Sequence, residues 1–170
     1  MGLNNSCRRL PLAAISACLP LLLAQTSGDL SEASRKSGYL SVGEPQKVTG
    51  KRNDAVQAKI PLSVQPGYHV NSNAPHEDYL IPLKLTWTQT GALEGGQVTY
   101  PKPADEKYEF AEKPLSVFTG NVELVANFRI SANAAAGPGV ALGKLRYQAC
   151  SSRACFAPRT VDVKVPYQVQ

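Results

Sequence analysis

The chain has 170 residues, of which 43% are hydrophobic and 18% charged, and it contains 13 glycines and 13 prolines. This composition excludes a disordered chain, favours a turn-rich β protein and leaves room for one domain with processing segments. The formal net charge is +5, but no lysine or arginine run exceeds two residues, so the charge predicts no nucleic acid as a partner.

Residues 1–24 are predicted to be a secretory signal peptide, with a cleavage site no later than about residue 28. Arg8 and Arg9 precede an apolar run over residues 10–24, and small and polar residues follow. The run is too short for an ordinary transmembrane helix, and no later stretch is longer, so the mature chain is predicted to have no transmembrane segment. A second interpretation is a lipobox, "ISAC", with lipidation of Cys18, but "LPLLL" is an unusual start for a mature lipoprotein.

Residues 25–50 are polar and mixed, and they are interpreted as a linker with at most one short strand over residues 39–42. The domain is predicted to occupy residues 51–170. Because the signal peptide carries two of the four cysteines, its removal leaves only Cys150 and Cys155.

From residue 51 onward, apolar and polar residues alternate with the two-residue period of a strand that has one buried face. In "AVQAKIPLSV" (residues 55–64), Pro61 faces outward and has no N–H group, which favours a position at a sheet edge. Shorter or similar patterns predict seven more strands, over residues 68–70, 81–87, 97–100, 115–118, 122–130, 144–149 and 161–167. Roughly eight antiparallel strands predict an all-β fold with two packed sheets.

Two long segments interrupt the strand pattern. The first is the polar loop "NSNAPHEDY" (residues 71–79), and the second is the charged loop "PKPADEKYEFAEKP" (residues 101–114). Long loops in compact domains are often functional. The aromatic residues Tyr108 and Phe110 in the charged loop need an apolar surface on which to pack.

The two remaining cysteines are predicted to face each other at the tip of a hairpin. If residues 144–149 form one strand with Tyr147 and Ala149 inward, Cys150 falls on the solvent face. Directly opposed Cβ atoms lie about 4.5–5.5 Å apart, and a disulfide needs about 3.5–4.5 Å. In an exported protein a disulfide is therefore the expected chemistry.

Spacing alone leaves three roles open for this pair. A structural staple would close a small ring and contribute only about 2 kcal/mol. A redox centre would use the outward position of the sulfurs. A metal site would have to recruit His69 or His76, whose spacing is not that of a zinc finger, and this is the poorest of the three.

Four stretches carry a family resemblance: "PGYHVNSNAPHEDYLIPLKL", "VTYPKP", "YEFAEKPLSVF" and "YQACSSRACFAP". Over roughly residues 55–168, the chain resembles the N-terminal periplasmic domain of DsbD-type thiol:disulfide interchange proteins, also called the disulfide bond corrector domain. The resemblance implies an immunoglobulin-like antiparallel β-sandwich with a redox hairpin near its C-terminus and without a cofactor or metal.

The resemblance also implies the site residues. Cys150 and Cys155 would be the exchanging pair, and Phe110 would be the aromatic residue of a loop that shields their disulfide. Glu109 would be an acidic residue of that loop, with Tyr108 preceding it, and Tyr68 would line the site.

The implied role is a periplasmic relay of the protein-disulfide reductase type. A thioredoxin-like protein or domain would be its electron donor, and periplasmic disulfide oxidoreductases would be its acceptors. The alternative is a non-catalytic immunoglobulin-like binding or scaffolding module with a structural hairpin disulfide.

Overall fold

The computed structural model describes residues 36–170, with side chains from residue 38 onward. The predicted signal peptide, the alternative lipidation site at Cys18 and residues 25–35 of the predicted linker lie outside the described residues. No helix long and apolar enough to cross a membrane occurs between residues 36 and 170.

The described chain forms thirteen strands. They are β1 (Lys36–Ser37), β2 (Leu40–Val42), β3 (Val48–Gly50), β4 (Ala55–Val64), β5 (His69–Asn71), β6 (Lys84–Gln89), β7 (Leu93–Thr99), β8 (Ala104–Glu106), β9 (Leu115–Phe118), β10 (Asn121–Ile130), β11 (Gly137–Tyr147), β12 (Ala149–Cys150) and β13 (Arg159–Val169). All eight predicted strands have a counterpart among them.

The strands form two larger sheets and one small sheet. The larger sheets have the orders β1-β2-β4-β10-β7 and β3-β13-β11-β6, and the small sheet has the order β12-β5-β9-β8. Pairing is antiparallel except between β3 and β13. The alternating apolar residues of β4, β10, β11 and β13 point inward and form one continuous core. The predicted all-β sandwich is therefore confirmed, with the small sheet as an addition that the sequence pattern did not predict.

Residues 36–50 contribute three strands to the sheets, although the sequence favoured a linker there. Leu40, Val42 and Val48 are buried in the core, and β2 pairs with the end of β4. Each of these strands is only two or three residues long, so its alternation is too short to be distinguished from a polar segment.

The position of β4 explains the outward proline. β2 pairs only with Leu62, Ser63 and Val64 of β4. Pro61 lies just beyond this pairing, where the Gly43 N–H donates to its carbonyl oxygen at 2.8 Å. β4 lies between β2 and β10 in the sheet order, so the edge position that Pro61 favoured is wrong for the strand as a whole. Only residues 55–60 extend beyond the reach of β2.

Candidate functional site

The chain changes sheets at Gln148, immediately before the first cysteine of the pair. β11 pairs with β13 up to Tyr147, and β12 then pairs with β5 of the small sheet. The Gln148 side chain holds this crossing in place. Its amide N–H donates to the Phe156 carbonyl oxygen at 3.1 Å, and its oxygen accepts from the Asn71 amide and the Ile81 N–H, both at 3.1 Å.

Cys150 and Cys155 form a disulfide across a tight turn. The two residues are opposed as an antiparallel bridge. The Ser151 N–H donates to the Ala154 carbonyl oxygen, and the Phe156 N–H donates to the Ala149 carbonyl oxygen, both at 2.9 Å. The predicted hairpin tip and its bond are therefore present.

The predicted exposure of Cys150 is wrong. Cys150 is 0% exposed, whereas Cys155 is half-buried. The prediction extended the alternation of β11 through Gln148, as if one strand continued to the cysteine. Because the chain joins the small sheet at that point, Cys150 becomes an interior position between β5 and the returning arm of the hairpin.

His69 lies on the other side of Cys150, as its register partner on β5. His69, Cys150 and Cys155 thus form one row across three adjacent chain segments, with their side chains on the same face. His69 is 2% exposed, and its Nε2 atom makes no hydrogen bond within the described chain. Burial lowers the pKa of His69, although the Glu106 carboxylate opposes this shift. The imidazole is therefore neutral at neutral pH.

The loop between β8 and β9, residues 107–114, places aromatic rings against His69 at one end of this row, and we call it the cap loop. The Tyr108 ring stacks on the His69 ring with 3.9 Å between centroids and 18° between planes. Phe110 lies farther out, 6.5 Å from the His69 ring and 5.8 Å from the Tyr108 ring. Phe110 is 38% exposed, so the outermost ring of the stack faces solvent.

Polar contacts hold the cap loop in this conformation. The Tyr108 hydroxyl donates to the Glu106 carboxylate at 2.5 Å. Burial and this hydrogen bond raise the pKa of Tyr108, so its hydroxyl stays protonated at physiological pH. The Lys107 ammonium donates to the carbonyl oxygens of Ala111 and Glu112 and closes the loop on itself.

A second aromatic cluster supports the returning arm of the hairpin. Tyr39 stacks on Phe156 with 4.6 Å between centroids and contacts Tyr68 at 4.7 Å. The Arg159 guanidinium lies 5.0 Å from the centre of the Tyr39 ring, a favourable cation–π distance. Phe156 follows Cys155 directly, so this cluster fixes the backbone next to the more exposed cysteine.

A groove of about 530 Å³ runs beside the hairpin tip. Its lining includes Tyr68, His69, Glu106, Tyr108 and Ser152. Both aromatic clusters therefore border the same solvent-accessible depression.

The structure brings together most of the residues that the sequence singled out. Cys150, Tyr108 and Phe110 lie around His69, Cys155 is on the far side of Cys150, and Tyr68 forms part of the groove wall. Glu109 is exposed and makes no hydrogen bond or ion pair with any described residue.

The sequence analysis did not single out several residues that shape this site. Glu106 is the carboxylate beside the imidazole, and Gln148 and Tyr39 fix the backbone around the hairpin. His69 was considered only as a metal ligand. Between residues 36 and 170, no group of three or more His, Cys, Asp or Glu side chains is arranged to hold a metal ion.

The fold and the site define an immunoglobulin-like β-sandwich whose hairpin carries a disulfide beside an aromatic loop. The family model described as "Thiol:disulfide interchange protein DsbD, N-terminal" matches residues 37–166. The chain belongs to this family, and it is a domain of the thiol:disulfide interchange type. The match begins at residue 37, so it includes strands β2 and β3.

Two solved structures are similar to the chain. The N-terminal periplasmic domain of ScsB from Proteus mirabilis has a TM-score of 0.53 at 13% identity, over 75% of this chain and 47% of that chain. The DsbD N-terminal domain of Neisseria meningitidis, in its reduced form, has a TM-score of 0.44 at 16% identity, over 74% of this chain and 89% of that chain. The chain therefore spans less than half of the ScsB domain. No curated protein sequence matches the chain.

Proposed function

We propose that the chain is an exported periplasmic relay domain that passes reducing equivalents from a thioredoxin-like donor to periplasmic disulfide oxidoreductases. Cys150 and Cys155 would be the exchanging pair. One observation carries the proposal: the disulfide closes only a short hairpin turn, yet its buried cysteine stands opposite His69, on which the ring of a separate loop stacks. Family membership agrees with this role, since the family is named for thiol:disulfide interchange.

The burial of the two cysteines supports a different role for each in the exchange. A donor thiolate must approach the sulfur that it attacks, and only Cys155 has surface in contact with solvent. The donor sulfur bonds to the Cys155 sulfur, the original S–S bond breaks, and Cys150 leaves with the electron pair as a thiolate. The second donor thiol then attacks the donor's own sulfur and releases a reduced domain.

The cap loop supplies selectivity in this scheme. A reduced dithiol in an oxidising compartment would lose its electrons to any available disulfide unless access were restricted. The rings of Tyr108 and Phe110 lie against His69, which belongs to the same row as the sulfurs. A docking partner that displaces these rings would open the site, and solvent thiols would not.

The reduction potential of the isolated domain tests the proposal. We expect a value more positive than about −300 mV, since inert structural disulfides of secreted proteins lie below that level. The measurement is equilibration with glutathione or dithiothreitol buffers, read by thiol alkylation and mass. A potential below this level, with no exchange with a reduced thioredoxin-like protein, would instead favour a scaffolding module with a stapling disulfide.

Substitution of Phe110 by alanine is expected to speed reduction of the disulfide by small thiols. An aromatic pair contributes about 0.5–1.5 kcal/mol, so loop opening would become about 2–10 times more frequent. Stopped-flow reduction with dithiothreitol gives the rate. Val140→Ala is the matched control, because Val140 is an exposed apolar residue on β11 outside the cap loop. Equal rates of disulfide reduction in the two variants would show that Phe110 does not shield the disulfide.

A further inference from the structure

The buried imidazole of His69 has an unused hydrogen-bonding atom. His69 Nε2 is enclosed and has no hydrogen-bond partner among the described residues. An unpaired buried polar atom destabilises the folded state, because it gives up its hydrogen bonds to water without replacing them. Such atoms are few in folded proteins and call for an explanation such as a catalytic or redox role.

The sheet register places this imidazole next to the sulfur that leaves during reduction. His69 and Cys150 are directly opposed on β5 and β12, and opposed Cβ atoms lie about 4.5–5.5 Å apart. On the other side of Cys150 stands Cys155, in the same row. The Cys150 sulfur therefore has only two neighbours along the row: the cysteine to which it bonds and the imidazole.

We propose that His69 is the proton acceptor for Cys150 when the domain closes its disulfide. This inference rests on the proposed function. In the mixed disulfide, Cys155 is bonded to the partner's sulfur and Cys150 is a thiol. Its proton passes to His69 Nε2, the Cys150 sulfur attacks the Cys155 sulfur, and the partner's sulfur leaves as a thiolate with the electron pair. The imidazolium then releases its proton to solvent or to the departing thiolate.

The surroundings of His69 suit this task. The titratable groups beside the imidazole are the Glu106 carboxylate, the Tyr108 hydroxyl and the Cys150 sulfur. Burial keeps the resting imidazole neutral and able to accept a proton, and Glu106 favours the imidazolium that forms. The Tyr108 hydroxyl donates a hydrogen bond to Glu106 and stays protonated, so it does not compete as a base.

Oxidation of the reduced domain by glutathione disulfide has two steps, and measuring them separately distinguishes the role of His69 from the relay function. Reduced protein is mixed with glutathione disulfide, quenched with acid and alkylated, and the species are resolved by intact mass. Formation of the Cys155–glutathione adduct reports the first step, and its conversion to the internal disulfide reports the second. In His69→Gln we expect an unchanged first step and a second step about 100-fold slower, the usual size of a general-base contribution.

His76→Gln is the matched control, because His76 is the chain's other histidine and its ring is exposed and paired with Asp105. We expect it to behave as the wild type in both steps. Equal second-step rates in His69→Gln and the wild type, after normal adduct formation, would overturn the inference and leave the relay intact. Absence of both the adduct and the internal disulfide in the wild type would overturn both.

The pH dependence of the second-step rate in the wild type provides a test that does not depend on whether a substituted protein folds. The second step should be nearly constant from neutral pH down to the lowered pKa of His69, below the ordinary value of 6.5, and fall only beneath it. If Cys150 ionised without a base, the rate would instead rise tenfold per pH unit up to about 8.5, the ordinary pKa of a thiol. That second profile would overturn the inference.

Discussion

Cys150→Ser is expected to accumulate a mixed disulfide with a thioredoxin-like partner, and Cys155→Ser is expected to accumulate much less. In Cys150→Ser the remaining thiol belongs to the half-buried residue at the hairpin tip, and no second thiol can resolve the adduct. In Cys155→Ser the remaining thiol belongs to a residue with no exposed surface.

The size of this difference follows from local opening. A conformational opening that costs about 1.4 kcal/mol reduces the reactive population tenfold, so trapping through Cys150 should be slower by about tenfold or more. The partner is a thioredoxin-like protein that lacks its own resolving cysteine and carries its remaining cysteine as a mixed disulfide with thionitrobenzoate, which leaves as a thiolate when the domain's thiol attacks. Adducts are counted by non-reducing electrophoresis and intact mass. The double serine variant is the control. Equal trapping by the two single variants would show that the burial of Cys150 does not govern its reactivity.

Leu40→Ala is expected to destabilise the domain by about 2–5 kcal/mol, the usual cost of truncating a leucine in a well-packed core. Leu40 is 1% exposed and belongs to the main core, although it lies in a segment whose composition favours a linker. Urea denaturation of the oxidised protein gives the change in the free energy of unfolding.

Ser41→Ala is the matched control at the neighbouring position. Ser41 is half-buried, and its hydroxyl makes one long contact, 3.5 Å, with the Ser63 carbonyl oxygen. Such a change should stay within about 0.5 kcal/mol. If Leu40→Ala were equally mild, residues 36–50 would lie on the sandwich without contributing to its stability.

The sandwich was predictable because its long strands carry clear alternation. β4, β10 and β13 each have four or five inward apolar residues, enough to define a period of two. β2, β3 and β8 have three residues each, and a pattern of that length carries no period. Their positions are set by pairing with β4, β13 and β9, which is tertiary information.

The sequence named several residues that the structure brings close together, but it did not predict their geometry. The disulfide followed from the cysteine count and spacing, and the cap loop residues followed from the family resemblance. The burial of Cys150 did not, because Gln148 ends one pairing and begins another without any glycine or proline to mark the change. The position of His69 beside Cys150 was not predictable either, because a single histidine in "GYHV" is most simply interpreted as solvated until its strand partner is known.

The candidate site and the main core of the sandwich depend on different sheets. Cys150 on β12 and both anchors of the cap loop, β8 and β9, belong to that sheet and not to the two larger ones. In the proposed relay, displacement of the cap loop would break ring contacts and leave the hydrogen-bond ladders of the sandwich intact. The rate of electron exchange and the lifetime of the folded protein would then vary independently, with substitutions in the loop acting on the rate and substitutions in the core acting on the lifetime.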